Sequence, residues 1–247
     1  MKITVIGSTG LIGSNLVSLL GGEGHSVVGA ARSTGVDVLS GDGVADAVAG
    51  ADVVIDVTNS PSFEDGPVMD FFTTSTTNLV TAAKAAGVGH YVALSIVGAD
   101  DLPESGYLRA KVAQETIIRD AGLPYSIVRA TQFHEFAEAI TDSLNVDGEV
   151  RAPDALIQPI AAQEVAAEVA EVAVGQPRNN HVDVGGPDKI PFSDLARAVL
   201  AKRGDDRRVV VTGEATYFGT RLAEGSLVTG DDAVIAATRF TDWLARR

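Results

Sequence analysis

The sequence predicts a doubly wound α/β fold, in which a parallel sheet is covered by helices on both faces and a smaller α+β lobe follows toward the C-terminus. Short apolar runs of strand length alternate with longer stretches of helical periodicity. A glycine-rich turn follows the first run directly, and the alternation loosens after about residue 150. Parallel strands need helix-length crossovers, so this alternation implies right-handed βαβ units in one sheet.

The first strand is KITVI (2–6), and its helix spans 11–21. SVVGA (26–30) and VDVL (36–39) read as the second and third strands, and ADVVIDV (51–57) as the fourth, followed by a helix over 67–86. HYVALS (90–95) is the fifth, with a helix over 105–121, and YSIVR (125–129) is the sixth. Gly87 closes an alanine-rich helix, while Gly122 and Pro124 stop the helix before the sixth strand, where a left-handed cap and a chain break are wanted. Beyond residue 150 come ALIQPI (155–160), a helix over 163–174 with Val165, Val169 and Val172 on one stripe, HVDVGG (181–186), a helix from Phe192 to Arg203, RRVVV (207–211), and a last helix ending near Trp243.

At 247 residues the chain can bury a sizeable core, and with no cysteine it has neither disulfides nor thiolate chemistry. A net charge of −14 and no basic patch argue against nucleic acid as a partner. No apolar run is long enough for a signal peptide or a membrane span, so a cytoplasmic protein with no membrane association is expected.

GSTGLIGSNL (7–16) sets Gly7, Gly10 and Gly13 at the spacing G-x-x-G-x-x-G between a strand and a helix. A tight turn, bare N–H groups at a helix N-terminus and close helix packing each require glycine, and together they hold a pyrophosphate. The cofactor-binding candidates here are Gly7, Ser8, Thr9, Gly10, Leu11, Ile12 and Gly13. About twenty residues on, where NAD-selective sites carry a carboxylate, stands AARS, with Arg32 and Ser33. An arginine suits a 2′-phosphate, so NADP is the expected cofactor and NAD the alternative. Residues 1–153 are read as the dinucleotide-binding, Rossmann-like core. Residues 154–247 are read as a lobe that shapes the substrate pocket and returns in part to the main sheet.

The glycine turn, VIDVTN (54–59), ALS (93–95) and YLRAK (107–111) together resemble the short-chain dehydrogenase/reductase superfamily. The glycine spacing, the compact length and AGLPYSIVRATQF (121–133) look like its atypical, NmrA-like branch of NAD(P)H-binding proteins. That resemblance covers residues 1–165 well and the rest loosely. It implies Ser95, Tyr107 and Lys111 as the catalytic set, with Lys111 also on the nicotinamide ribose. It places Thr58 and Asn59 at a cofactor-contacting strand end, Asp42 beside the adenine, and Ala130, Thr131 and Phe133 beside the nicotinamide. The chain departs from the family in a shorter loop between the third and fourth strands and in lacking a Pro-Gly after the sixth.

Tyr107 and Lys111 lie four residues apart near a helix start, so their side chains share a face. An ammonium one turn away and the helix N-terminus both favour a phenolate, which a free phenol with a pKa of about 10 does not offer at neutral pH. The expected function is hydride transfer between nicotinamide and a small carbonyl, imine or quinone-type substrate, with tyrosine as proton donor. The alternatives are a non-catalytic dinucleotide-binding redox sensor, or an isomerase or epimerase with retained cofactor. His25, His90 and His181 stand at strand starts without metal-ligand spacing, and His134 is a candidate to face substrate. Phe133, Phe136, Tyr217 and Phe218 either floor an apolar pocket or pack the core. Asp100, Asp101 and Glu104 read as solvated loop charges.

Overall fold

The computed structural model describes residues 1–247. Its strands are β1 (Lys2–Ile6), β2 (Ser26–Ala30), β3 (Val53–Asp56), β4 (His90–Ile96), β5 (Tyr125–Ala130), β6 (Asn145–Val146), β7 (Glu149–Ala152), β8 (Leu156–Ile157), β9 (His181–Gly185), β10 (Ile190–Pro191), β11 (Val209–Val211) and β12 (Val234–Ile235). Its helices are α1 (Leu11–Gly22), α2 (Val44–Val48), α3 (Asp65–Ala85), α4 (Gly106–Asp120), α5 (Ala137–Ser143), α6 (Ala162–Val174), α7 (Phe192–Arg203) and α8 (Phe240–Ala245). No helix is long and apolar enough to cross a membrane.

Seven strands form one sheet in the order β12-β9-β5-β4-β3-β1-β2, and every neighbouring pair is parallel. This is the doubly wound α/β architecture expected from the strand–helix alternation. The strands are apolar on both faces because both are covered: α1 and α6 bury Ile3, Val5, Val53 and Val92, while α2, α3 and α4 bury Ile6, Val54, Tyr91 and Ala93. The chain leaves β1 for β2 on one side and returns to β3 on the other. The crevice beyond the C-terminal ends of β1 and β3 is therefore the topological switch point, where open α/β sheets take their ligands.

VDVL is not a strand. The Asp37 carboxylate accepts from the N–H groups of Leu39 and Ser40 at 2.8 and 3.4 Å and folds the segment into a turn. Gly35 and Gly41, at φ +82° and +85°, bracket it with left-handed backbone that β-strands do not use. Asn78 of α3 then takes up the Val38 and Leu39 carbonyls, so the sheet has one strand fewer on that side than the sequence pattern suggests.

The C-terminal part divides between two places. Helix α6, β9 and β12 complete the main sheet, whereas β6, β7 and β11 form a small three-stranded sheet of their own, beside the β8–β10 pair, α5, α7 and α8. A shared apolar cluster of Phe72, Leu108, Phe192, Tyr217, Leu227 and Phe240 fastens this lobe to α3 and α4.

Candidate active site

The glycine turn is closed by backbone alone. Gly7, at φ +85°, donates to the Ala30 carbonyl at 2.9 Å, and Gly10 donates to Gly7 at 3.0 Å. A Cβ on Gly13 would stand 2.1 Å from the Gly7 oxygen, and one on Gly7 would stand 3.0 Å from the Val57 oxygen across the switch point. The N–H groups of Thr9, Leu11, Ile12 and Gly13 donate to no acceptor in the protein. Unpaired donors at the positive end of a 12-residue helix, approached by no side chain of its glycines, make a cradle that fits a pyrophosphate.

At the end of β2, Arg32 and Ser33 begin a single 3-10 turn. Arg32 is largely exposed, and its Nε lies 3.5 Å from Asp37, which sits in the turn that replaced the expected strand. That carboxyl is held below its ordinary range, chiefly by the Leu39 N–H and also by Arg32. Beside it is a cleft of about 350 Å³ lined by Gly29, Ala30, Thr34, Gly35 and Asp46. Asp42 keeps to its own loop and accepts from Ser40 Oγ at 2.8 Å.

Tyr107 sits in the first turn of α4, behind the N-cap Ser105, whose Oγ accepts from the Leu108 N–H. Its hydroxyl donates to Asn59 Oδ1 at 2.9 Å, just past the end of β3. Burial pushes this phenol up to about 12. Lys111 shares the face as expected, but its ammonium turns inward. It donates to the Leu94 carbonyl at 2.8 Å and to Gln114 Oε1, and lies 4.5 Å above the Phe72 ring. Burial pulls its pKa down to about 8 against the opposing pull of Asp56 and Glu115. Ser95 Oγ, 3% exposed at the end of β4, has no hydrogen-bond partner at all. The three residues thus gather at one end of the sheet without bonding to one another.

What joins Tyr107 to Lys111 is a residue that sequence reasoning passed over. Asp56 is fully buried at the end of β3. One carboxylate oxygen accepts from the Thr58 N–H and Oγ1 at 3.0 and 2.7 Å. The other accepts from Tyr91 OH at 3.2 Å and Gln114 Nε2 at 3.1 Å. The first pair sets the turn that carries Asn59 to Tyr107, and the second leads through Gln114 to Lys111. A carboxylate within the apolar run VVID was the signal, because a charge in a covered parallel strand must be fully paired. Behind Ser95, Arg129 of β5 forms a buried pair with Glu115 and a further one with Asp100 at 2.7 Å. Asp100 is therefore a structural partner and not a free loop charge.

At the end of β5, Ala130 and the following Thr131 are buried, and Thr131 Oγ1 and Gln132 Oε1 lack partners. With Ser95 they make three unpaired polar atoms on the crevice side of two adjacent strands. Phe133 bridges to Ile160 and stacks on Phe136 at 5.4 Å. His134 does not reach the crevice. It is 1% exposed, packed 5.4 Å from Phe240 and 5.3 Å from Trp243, and burial lowers its pKa. Tyr217 is buried, whereas Phe218 lies over Tyr107, joined there by Phe63, which the sequence reading did not single out.

Residues 7–176 match the NAD(P)H-binding family. The chain belongs to that family. Among its curated relatives, a (4-alkanoyl-5-oxo-2,5-dihydrofuran-3-yl)methyl phosphate reductase of Streptomyces griseus is 29% identical over 204 residues, covering 76% of this chain and 69% of that protein. The chloroplastic divinyl chlorophyllide a 8-vinyl-reductase of Cucumis sativus is 28% identical over 230 residues, and the matched part spans 76% of this chain but only 53% of that enzyme. The dTDP-glucose 4,6-dehydratase DesIV of Streptomyces venezuelae, solved with NAD and TYD bound, superposes with a TM-score of 0.75 at 17% identity, over 100% of this chain and 95% of that one. That last likeness is one of fold, a parallel sheet covered by helices on both faces. The family makes this an NAD(P)H-binding protein, and two of its curated relatives are reductases.

Proposed function

We propose that the protein is an NADP-dependent reductase that passes hydride to a small carbonyl, imine or quinone-type acceptor, with Tyr107 as the proton donor. The observation that carries this reading is the cradle of unpaired N–H groups after β1, one strand away from the Asn59 amide that holds the Tyr107 hydroxyl. When bound, the reduced nicotinamide supplies the hydride to the electrophilic carbon and leaves oxidised. Tyr107 gives its proton to the oxygen or nitrogen that gains the electron pair, and solvent reprotonates the phenolate. A phenol held at about 12 is protonated at neutral pH, as reduction requires, and it remains a stronger acid than the alcohol formed when the alkoxide takes its proton. Ser95 Oγ, free of other bonds, donates to the same acceptor atom.

Arg32 supports NADP over NAD. Its present partner is an exposed carboxylate 3.5 Å away, which a 2′-phosphate replaces with a bidentate, charge-assisted contact. In this reading residues 1–153 hold the dinucleotide, residues 154–247 shape the acceptor pocket, and the protein works in the cytoplasm on a free small molecule.

The test is NADPH binding by fluorescence and NADPH oxidation across a panel of carbonyl, imine and quinone acceptors. Tyr107→Phe is expected to lower turnover on the order of 1,000-fold while leaving NADPH affinity within about twofold. An unchanged rate in that variant removes Tyr107 as donor. Tight NADPH binding by the wild type with no acceptor reduced gives the chain over to dinucleotide sensing.

A further inference from the structure

The mouth of the site contains a backbone irregularity that packing alone does not demand. Tyr217 and Thr220 close a two-residue hairpin turn through N–H···O bonds of 2.8 and 3.2 Å. Both central residues have positive φ, +48° at Phe218 and +76° at Gly219, as in a type I′ turn. The first position of that turn favours Asn, Asp or Gly, because any larger side chain crowds its own carbonyl in left-handed backbone. A phenylalanine there is strained, and strain of this kind collects at functional sites.

Burial does not explain the residue, since Phe218 remains 37% exposed. What the conformation achieves is placement. The ring lies over Tyr107 with centroids 5.0 Å apart and planes 29° from parallel. Phe63, from the loop between β3 and α3, sits 5.7 Å from Phe218 at 31° and 5.2 Å from Tyr107, and is itself 54% exposed. Two exposed rings from distant segments thus converge on one phenol.

The charges around them point the same way. Arg109 on α4 is paired with Asp65 at 2.8 Å, Arg221 beside the hairpin with Glu214, and Arg129 behind Ser95 with Glu115 and Asp100. Each of these framing arginines holds its carboxylate closer than the 3.5 Å between Arg32 and Asp37, and a net charge of −14 disfavours an anionic substrate further.

We infer that Phe63 and Phe218, closed over Tyr107, form an aromatic clamp whose exposed outer faces stack a flat, conjugated, uncharged acceptor beside that phenol. The assignment rests on the reductase reading for what happens to that acceptor, although binding itself needs no turnover. Near-parallel rings reward an offset-stacked π-system, whereas a saturated sugar or a phosphorylated aldehyde brings no π-face and meets no free cation.

The experiment is equilibrium dialysis of the full chain, with and without NADP⁺, against menadione as the neutral planar probe and glyceraldehyde 3-phosphate as the charged, non-planar one. Three variants are compared with the wild type: Phe63→Ala, Phe218→Asn, and the two combined. Asparagine tolerates positive φ, so the hairpin is retained, and circular dichroism with thermal melting checks the fold. Menadione is expected to bind the wild type, to weaken roughly fivefold in each single variant, and to weaken on the order of 20-fold or more in the double variant. Equal menadione affinity in the double variant, no menadione binding by the wild type, or preference for the phosphorylated aldehyde overturns the clamp. Should Phe218→Asn lose its fold, the exposed Phe63 decides the matter alone. Clamp-dependent menadione binding without NADPH oxidation would instead leave the clamp standing and fail the reductase.

Discussion

The two ends of the candidate crevice are built from different material. After β1 the site is made of backbone: Gly7, Gly10 and Gly13 fold on one another, and the donors they expose are unpaired before any ligand arrives. Around Tyr107 the site is made of side chains from β3, β4, α4 and the 217–220 hairpin, most of them already bonded to each other. A backbone site is rigid and fails by steric intrusion. A side-chain site must exchange its internal hydrogen bonds for substrate contacts, so it fails through altered charge and altered pairing. Substitutions at the first end should therefore remove binding, and those at the second should act on chemistry or on pH dependence.

The largest effect on cofactor binding is expected at Gly13. An alanine Cβ there meets the Gly7 oxygen at 2.1 Å and the Ser8 Cα at 2.7 Å, both of them backbone atoms that cannot rotate away. Gly13→Ala should lower NADPH affinity at least about 100-fold and destabilise the fold by roughly 2–3 kcal/mol. Gly10→Ala, whose Cβ would stand 3.3 Å from that oxygen, should cost clearly less on both counts. Fluorescence titration and thermal melting of the pair read this directly. Wild-type affinity in Gly13→Ala would mean that the turn is only a turn.

The middle-sized effects belong to the Asp56–Gln114–Lys111 network. Lys111 has its pKa lowered to about 8 by burial, against about 10.4 in an unfolded chain. Between those values the unfolded chain carries a proton that the folded one has released. Stability therefore rises with pH through this window, by roughly 2 kcal/mol from pH 8 to 10. Above pH 10 the sign reverses, because Tyr107, raised to about 12, and the buried Tyr91 and Tyr217, raised as well, keep protons that the unfolded chain loses. Urea unfolding at pH 8, 9 and 10 should show the rise in the wild type and its absence in Lys111→Met. Parallel slopes would place the Lys111 ammonium in water. Asp56→Asn swaps an acceptor of four hydrogen bonds for an amide that can match only part of them, at a cost of about 2 kcal/mol or more.

The same division explains what could be seen in the sequence. The β1 turn was legible because its geometry depends on seven consecutive residues, and so was the parallel sheet, because strand and helix periodicities are local. The helix from Phe192 to Arg203 was legible for the same reason. VDVL failed because apolar alternation was outcompeted by one carboxylate bonding to the N–H groups two and three residues ahead. At the second end, Ser95, Tyr107 and Lys111 were readable as residues but not as an arrangement. The bonds that fix them join Tyr107 to Asn59 and Gln114 to Asp56, and spacing along the chain does not encode such pairings. Phe218 was invisible as a strained position, since Phe-Gly is not a pair that announces a type I′ turn.

The smallest expected effect on stability sharpens the comparison most, because the change in rate that accompanies it separates the two readings of Ser95. The hydroxyl is 3% exposed and unpaired. If it serves only packing, Ser95→Ala removes a buried polar atom that nothing satisfies, and stability holds or rises by up to about 1 kcal/mol with no change in rate. If it waits for an acceptor oxygen, the same gain in stability comes with a loss in kcat of about 100-fold and an unchanged NADPH affinity. A loss of stability above about 1 kcal/mol would contradict both, because it would mean the hydroxyl already has a partner in the folded protein. Stability and turnover moving in opposite directions at one buried serine is the behaviour of a side-chain site held ready, and the glycine turn, where both fall together, cannot show it.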